Sequence, residues 1–534
     1  MISFRPAGDA GLLVTIDDSP ARLATAIGAA GLPDLTDIVP GARAVLVRFA
    51  PGAWLPGALA DAISGLDLPA DDPADEPAVR IPVVYDGQDL AGVARLAGLT
   101  VSEVAAVHSG GDYRVGWLGF CPGFGYLTGL DPRLDVPRLA TPRVAVPAGS
   151  VAIAGGLTGV YPAASPGGWR LLGRTTARMW DTSRDPPALL APGRRVRFEA
   201  VRPVPADTRP AEARADGART DGVRSPGAGS APRPALAPGQ PGQPSLEIVR
   251  TGPLATVQDL GRPGYGAVGV PQSGAADQVS LAAANRLAGN EDAAAAIELT
   301  LGRAVVRCPE PVRLATAGAP AAVRLTAGHG EVSDVVFGTA FDVLAGGVVS
   351  VGAAETGLRT YLAVAGGVVT PPVLGSRSAD LLSGIGGPLR PGDVLPVGRP
   401  GPARTGPAAP GRVRLPERGT PAVLRVRPGP RLDWFGPDAL ATLCGAVYTV
   451  GPASNRTGLR LAGPPLPRAG DAELASEGMV TGSLQVPHDG QPILLLADHP
   501  TVGGYPVIAV LASADIGLAA QLRPGEAIRF GTAL

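Results

Sequence analysis

Toward the C-terminus of the 534-residue sequence, SEGMVTGSLQVPHDGQPILLLADHPTVGGYP (Ser476–Pro506) gathers Glu477, Gln485, Asp489, Gln491, Asp498 and His499. Asp498 follows the apolar run ILLLA, which places a carboxylate at the end of a buried strand, where burial and neighbouring charges tune proton affinity. Earlier, TVQDLGRPGYGAVGVPQSGAAD (Thr256–Asp277) mixes Gln258, Asp259 and Arg262 with turns. LGSRSAD (Leu374–Asp380) sets Ser376, Arg377, Ser378 and Asp380 in a polar loop between hydrophobic strands. Glu298 lies in AAAAIELTLG (Ala293–Gly302), a run so apolar that a buried carboxylate there needs a partner. No G-x-S-x-G, H-E-x-x-H or Ser/Lys amidase pair accompanies these groups, so the residues alone name no reaction.

A second dense stretch lies in the N-terminal part. GFCPGFGYLTGLD (Gly119–Asp131) and TPRVAVPAGSVAIAGGLTGVYPAASPGGW (Thr141–Trp169) set many glycines beside Phe124, Tyr126, Tyr161 and Trp169. Two readings are open: backbone held close to a ligand in a partly aromatic cleft, or tight barrel corners that use Gly and Pro for shape alone. His108 falls near a helix C-terminus, where a histidine ordinarily caps the surface, and is also a candidate titratable group.

The chain contains no lysine; all 46 of its basic residues are arginine. A Walker A loop needs its lysine on the phosphates, a Schiff-base enzyme needs a titratable amine, and a biotin carrier needs a lysine to modify. None of these can be housed here. The formal charge of −1 gives no electrostatic reason to expect nucleic acid or an acidic membrane as partner. Cys121, Cys308 and Cys444 are isolated, which excludes a disulfide scaffold and offers no zinc pattern, so no metal ligands are assigned. The first residues, MISFRPAGDAGLLVTIDD, lack the apolar core of a signal peptide. The long uncharged window Val144–Trp169 holds six Gly and three Pro and reads as strands and turns. A soluble, cytoplasmic protein is expected.

The elements that must carry these groups are mostly strands. AVLVRF (Ala44–Phe49), VRIPVVY (Val79–Tyr85) and YRVGWLGF (Tyr113–Phe120) alternate or run apolar as strands do. Leu90, Val93, Ala94 and Ala97 share one helical face, and Thr100-Val-Ser-Glu103 is a capping box that opens a second short helix. SLAAANRLAGN (Ser280–Asn290) reads as a helix with Asp277 as its N-cap and Gly289 as its stop. PGRRVRF (Pro192–Phe198), PGDVLPV (Pro391–Val397) and PGEAIRF (Pro524–Phe530) each put a Pro-Gly turn before an alternating strand, which suggests three related barrel units.

Residues 204–243 have no aromatic and almost no large aliphatic side chain and predict a disordered linker with a span of about 35 Å. The acidic stretch Asp67–Pro77 reads as a boundary, and Gly398–Gly411 as a weaker linker. The expected domains are a small α+β domain at 1–75 and a barrel at 76–203 in a first module. A second module follows the linker, with barrel halves at 244–411 and 412–534. The fold class is mainly β with α+β.

GFCPGFGYL with TPRVAVPAGSVAIAGGLTGVYPAASPGGWRLLGRT resembles allophanate hydrolase subunit 1, the family of the 5-oxoprolinase B component. QDLGRPGYGAVGVPQSGAAD, ANRLAGN, YLAVAGGV, LGSRSAD, NRTGLRL, SEGMVTGSLQVPHDGQPILLLAD and TVGGYP resemble allophanate hydrolase subunit 2, the family of the 5-oxoprolinase C component. Ala379 stands where the second family usually has Thr, and His499-Pro500 and Val502 stand where Arg-Gln and Thr are usual. The resemblance implies cyclophilin-like barrels and a joined B and C component that opens 5-oxo-L-proline to L-glutamate with a separate A-type subunit, using ATP with Mg2+. It implies an oligomeric assembly and a small amide substrate, with no nucleic acid, no membrane and no covalent biotin on this chain. Two other activities share these families: the carboxyltransferase region of urea carboxylase, and a histidine-kinase inhibitor.

An unstrained lactam is a poor electrophile, so charge stabilisation would fall to arginines and backbone N–H groups in a chain without lysine. Under the resemblance the catalytic candidates are Asp498, Asp259, Arg262, Arg377 and His108. Substrate or nucleotide binding falls in the first module to Phe120, Pro122, Gly123, Phe124, Arg143, Gly149, Ser150, Gly167, Gly168, Trp169 and Arg174. In the second module it falls to Gln258, Asp277, Asn285, Ser376, Ser378, Glu477, Gln485, Gly503, Gly504 and Tyr505.

Overall fold

Each apolar run read as a strand becomes one in the computed structural model of the chain, including Ala44–Phe49, Val79–Val83 and Tyr113–Leu118. The structure describes residues 2–69, 77–202, 243–401, 415, 417, 419–470 and 472–533. Residues 204–242 of the expected linker, 70–76 of the acidic stretch and 402–411 of the second linker lie outside the described residues. The chain divides into two units. One comprises Leu68–Ser230 with Ala267–Gly269, and the other Met1–Asp67, Ala231–Gly266 and Val270–Leu534.

In the smaller unit, seven strands follow the order Arg170–Arg174, Ser150–Ala154, Leu157–Val160, Gly125–Thr128, Tyr113–Leu118, Arg195–Ala200, Val79–Val83. Val84, just past the last of these strands, exchanges two backbone hydrogen bonds of 2.9 Å with Arg174 on the first, so the sheet curls back on itself. Ile81, Val115, Leu127, Ile153, Leu172 and Phe198 fill its interior. The helices Leu90–Ala97 and Val101–Gly110 cover it through Leu90, Val93, Ala94 and Val104. The capping box forms: Thr100 Oγ1 accepts from Glu103 N (3.2 Å), and Glu103 Oε2 accepts from Thr100 N (2.7 Å).

The larger unit contains three parts. Ile2–Pro6, Gly11–Ile16, Ala44–Phe49 and Leu35–Pro40 form a four-stranded antiparallel sheet, accompanied by helices Pro20–Ala29 and Pro56–Ser64. A six-stranded and a five-stranded sheet then enclose one core, with Leu246, Val306 and Val351 from one sheet and Val257, Ile297 and Leu362 from the other. The C-terminal part is a closed barrel of seven strands, in which Ala422–Pro428 runs parallel to Ala527–Thr532.

The three Pro-Gly strands are not equivalent. Arg195–Ala200 and Ala527–Thr532 each run parallel to the first strand of their barrel, whereas Val394–Pro396 pairs antiparallel with Ser245–Arg250. A sequence pattern specifies the turn and the alternation, and the neighbour's direction is left to tertiary packing.

By its contacts the N-terminal sheet, Met1–Asp67, groups with the C-terminal part. Ala42 N donates to Ser476 O (2.7 Å), Asp9 accepts from Ser513 Oγ (2.6 Å), and Arg5 Nη1 donates to Pro430 O (2.9 Å). Two glycines permit the approach. A Cβ on Gly41 would lie 2.6 Å from Ser476 O, and one on Gly478 would lie 2.4 Å from Leu46 Cβ. No single helix among the described residues is long and apolar enough to cross a membrane.

Candidate functional site

The end of strand Leu254–Gln258 is where the polar residues of the second module meet. Asp259, next along the chain, accepts from Gly261 N (2.8 Å), Ser376 Oγ (2.6 Å), Ser378 Oγ (2.5 Å) and Arg377 N (2.7 Å). Four donors saturate the carboxylate, so Asp259 serves to pin the LGSRSAD loop against the strand end. Gln258 Nε2 adds a bond to Ala379 O (3.0 Å), and Ala379 N donates to Val257 O (3.0 Å).

The pinned loop delivers Asp380, which is fully buried. Its Oδ1 accepts from Leu382 N (3.1 Å) and Ser383 N (3.0 Å), while Oδ2 has no hydrogen-bond partner. Burial, and then the nearby charge of Asp498, push its carboxyl up to about 6. Arg262 is also buried; its Nη2 donates to Ser378 O, and its Nη1 has no partner. Burial lowers the Arg262 pKa against the opposing charges of Asp380, Asp259 and Asp498.

Asp498 stands beyond the short strand Ile493–Leu495, as its apolar run predicts. Its Oδ1 accepts from Ser273 Oγ (2.6 Å) and Arg456 Nη2 (2.9 Å), and its Oδ2 from Arg456 Nε (2.8 Å). Arg456 Nη1 reaches Glu298 Oε1 at 2.5 Å. Glu298 also accepts from Tyr361 Oη (2.7 Å) and Ala276 N (3.0 Å), with Arg359 Nε 3.5 Å away. Burial alone would raise Glu298, but Arg456 and then Arg359 outweigh it and hold the carboxyl below its ordinary range.

Among the described residues, five buried side-chain atoms without a hydrogen-bond partner fall in the two segments just described. They are Gln258 Oε1, Arg262 Nη1, Arg377 Nε, Asp380 Oδ2 and Ser383 Oγ. Buried polar atoms are nearly always paired, so these five are the atoms of the two segments left open to a further polar partner.

The other second-module candidates divide. Asp277 caps helix Gln278–Ala288, accepting from Ser280 N (3.0 Å) and Ser280 Oγ (2.6 Å), and also holds Gln521 Nε2 (2.7 Å). Asn285 donates to Asp292 O and Ala294 O, and so closes the loop after that helix. Glu477 pairs with Arg431 at 2.6 Å, and Gln485 Nε2 donates to Met479 Sδ. Gly503 lies opposite Glu477 in a two-residue strand pair, with Gly504 following, and Tyr505 is exposed beneath the Arg468 guanidinium. His499 is buried with Nδ1 on Pro500 O (2.8 Å), and burial pushes it down to about 4, so it is neutral at pH 7.

In the smaller unit the candidates make close packing contacts and ion pairs. A Cβ on Gly149 would meet Thr175 O at 2.4 Å, and one on Gly167 would meet the Tyr161 hydroxyl at 2.2 Å. Gly123 has φ 75° and packs against Met179 O, Pro122 is buried in the same turn, Ser150 begins an inner strand, and Gly168 O accepts from Leu139 N. Arg143 is tied to Asp89 (2.7 Å), and Arg174 to Asp86 (2.8 Å). Phe124 and Trp169 pack edge to face, while Phe120, at φ 66° over a Cys121 N to Gly119 O bond of 2.7 Å, is partly exposed.

His108 is no surface cap. It is wholly buried, with Nδ1 2.7 Å from Tyr85 Oη and Nε2 2.9 Å from Thr158 Oγ1. Thr158 spends its proton on Ala152 O, so Nε2 carries the hydrogen and Nδ1 accepts from Tyr85. Burial pushes its pKa down to about 3, which leaves a neutral core side chain in place of a catalytic base.

Arg456, Ser273 and Arg359 are not singled out by the sequence, and Asp380 stands there only as one residue of a polar loop. Arg456 had a signal: Glu298 and Asp498 are two acids at the ends of apolar runs, and such acids need a cation.

Two family models match the chain. A model described as carboxyltransferase domain, subdomain C and D, matches residues 2–190, and one described as subdomain A and B matches residues 268–532. The chain is 39% identical over 294 residues to the C component of 5-oxoprolinase from Escherichia coli K12, covering 53% of this chain and 90% of that protein. It is 48% identical over 123 residues to the B component of 5-oxoprolinase from Escherichia coli O157:H7, covering 22% of this chain and 56% of that protein. The crystal structure of TTHA0988 superposes with a TM-score of 0.81 at 35% identity, over 99% of this chain and all of that one. The chain therefore belongs to the family of the 5-oxoprolinase C component, with a region of the B type joined ahead of it in one polypeptide.

Proposed function

We propose that this protein is the joined B and C component of an ATP-dependent 5-oxoprolinase, opening 5-oxo-L-proline to L-glutamate with a separate A-type subunit. The observation that carries the reading is the couple Arg262 Nη1 and Asp380 Oδ2, both buried without a hydrogen-bond partner and within electrostatic reach of each other, in a region related to the C component. A lactam presents a carbonyl oxygen and an N–H on one planar edge. Arg262 Nη1 donates to that oxygen and stabilises the negative charge that grows on it as the carbon is attacked. Asp380 Oδ2 accepts from the N–H or from the attacking water and moves the proton; a carboxyl near 6 is suited to both roles around neutrality. Asp498, fixed by Arg456 and Ser273, supplies the negative field that keeps the proton affinity of Asp380 high.

No group of three or more His, Cys, Asp or Glu side chains among the described residues could hold a metal ion, and the chain has no lysine for phosphates. In this reading ATP and its Mg2+ belong to the A-type subunit, and this chain contributes binding of the amide and proton transfer. The test is ligand-induced stabilisation: 5-oxo-L-proline raises the Tm of the wild-type chain and not that of Arg262→Gln. Stabilisation by urea with none by 5-oxo-L-proline would overturn the assignment.

The second reading, a carboxyltransferase component of a urea carboxylase-type system, is favoured by the description of both matching family models. It uses the same edge of a planar amide, so turnover with the partner proteins separates the two.

A further inference from the structure

A cavity of about 380 Å3 opens within the larger unit where the N-terminal sheet meets the C-terminal barrel. None of its lining residues belongs to the Arg262–Asp380 cluster. Its volume is at the small end for ligand sites. Arg431 holds Glu477 through Nε (2.8 Å) and Nη2 (2.6 Å); their side chains are 13% and 3% exposed, so this pair is a fixed, desolvated part of the wall. Trp434 supplies an aromatic surface beside it.

Two further charges, Arg43 and Glu473, line the same cavity and are exposed. Arg43 is within electrostatic reach of Asp17, yet its guanidinium makes no hydrogen bond among the described residues, and neither does the Glu473 carboxylate. The lining thus carries one satisfied ion pair, two further charges of opposite sign without hydrogen bonds, and one indole. A ligand that completes it has its own carboxylate and ammonium and a small body to lie on the ring.

We infer that this cavity binds a free α-amino acid, with its carboxylate on Arg43, its ammonium at Glu473 and its body against Trp434. An ammonium near an indole face gains cation–π attraction as well as the Glu473 charge. The site is independent of the lactam reading, because 5-oxo-L-proline has no ammonium group and lacks the second half of the recognition.

The experiment is calorimetric titration of the full chain with L-glutamate and L-proline, and with the N-acetyl and carboxamide derivatives of each. One of the two free amino acids should bind, and its two blocked derivatives should not. Arg43→Gln and Glu473→Gln, both at exposed positions where folding is insensitive, should each weaken binding about tenfold or more. Trp434→Leu should weaken it as well, and Arg43→Gln should leave the thermal effect of 5-oxo-L-proline unchanged. Absence of binding by both amino acids at millimolar concentration, equal binding of the blocked derivatives, or indifference to both charge variants would overturn the inference.

Discussion

Arg456 and Glu298 meet at 2.5 Å across the two halves of the second module, both side chains almost fully buried. The same guanidinium grips Asp498 with Nε and Nη2, so one cation joins the strand end that carries Asp498 to the strand that carries Glu298. Removing it leaves two buried carboxylates short of a partner. Arg456→Gln is expected to cost about 3–5 kcal/mol of stability, the range for breaking a buried ion pair. Urea unfolding of the wild type and the variant measures this; a loss below about 1 kcal/mol would mean that the network is not what joins the halves.

Asp380→Asn separates chemistry from folding. The amide oxygen still accepts from Leu382 N and Ser383 N, so the loop keeps its shape. The folded-state pKa of Asp380 is raised to about 6 from 3.8, so its ionisation disfavours the fold increasingly as pH rises from 3.8 to 6, and fully above 6. The variant should therefore be as stable as wild type or more so at pH 8, while turnover falls about 100-fold or more, the usual scale for losing a proton-transfer group. Denaturation midpoints and steady-state rates on the same preparations provide the check.

His108 gives a pH signature of opposite sign. The unfolded chain protonates it near 6.5 and the fold only at about 3, so the unfolded state holds the extra proton between those values. The contribution of His108 to stability is then complete above about 6.5 and declines as pH falls toward 3. The stability lost in His108→Gln should be largest near pH 7.5 and shrink steadily below 6.5 in urea titrations run across that range. A difference independent of pH would contradict the neutral, buried assignment.

Gly41→Ala probes the attachment of the N-terminal sheet. The new Cβ would stand 2.6 Å from Ser476 O and 2.9 Å from Glu477 Cα, both backbone atoms that cannot swing aside. Overpacking of this kind costs about 1–3 kcal/mol. Limited proteolysis should then cut the chain faster beside residues 1–67 than in the wild type, with the C-terminal barrel left resistant.

Much of this molecule was legible in sequence because local rules decided it. The capping box at Thr100, the cap and stop of the helix after Asp277, and the strand ahead of Asp498 all follow from short patterns, and each is present. The antiparallel pairing of Val394–Pro396 and the attachment of residues 1–67 to the C-terminal part depend on contacts between segments hundreds of residues apart, where no local period exists.

The site was half visible for the same reason. Glu298 and Asp498 stand out as charges in apolar runs and Asp259 and Arg262 as polar groups among turns, but whether a carboxylate is saturated, like Asp259, or left with an open oxygen, like Asp380, depends on three-dimensional donors. The glycines around Phe124 illustrate the converse. In sequence they fit a cleft or a corner equally, and only the three-dimensional packing shows the tight approaches at Gly149 and Gly167.

The account rests most heavily on this chain working as the B and C component of a lactam-opening system that consumes ATP. The direct measurement combines the purified chain with an A-type subunit, ATP and 5-oxo-L-proline, and follows ADP and L-glutamate together. The account predicts release of both, dependent on the lactam and lost in Arg262→Gln. No turnover there, together with carboxyl transfer to urea from a biotinylated carrier, would contradict it.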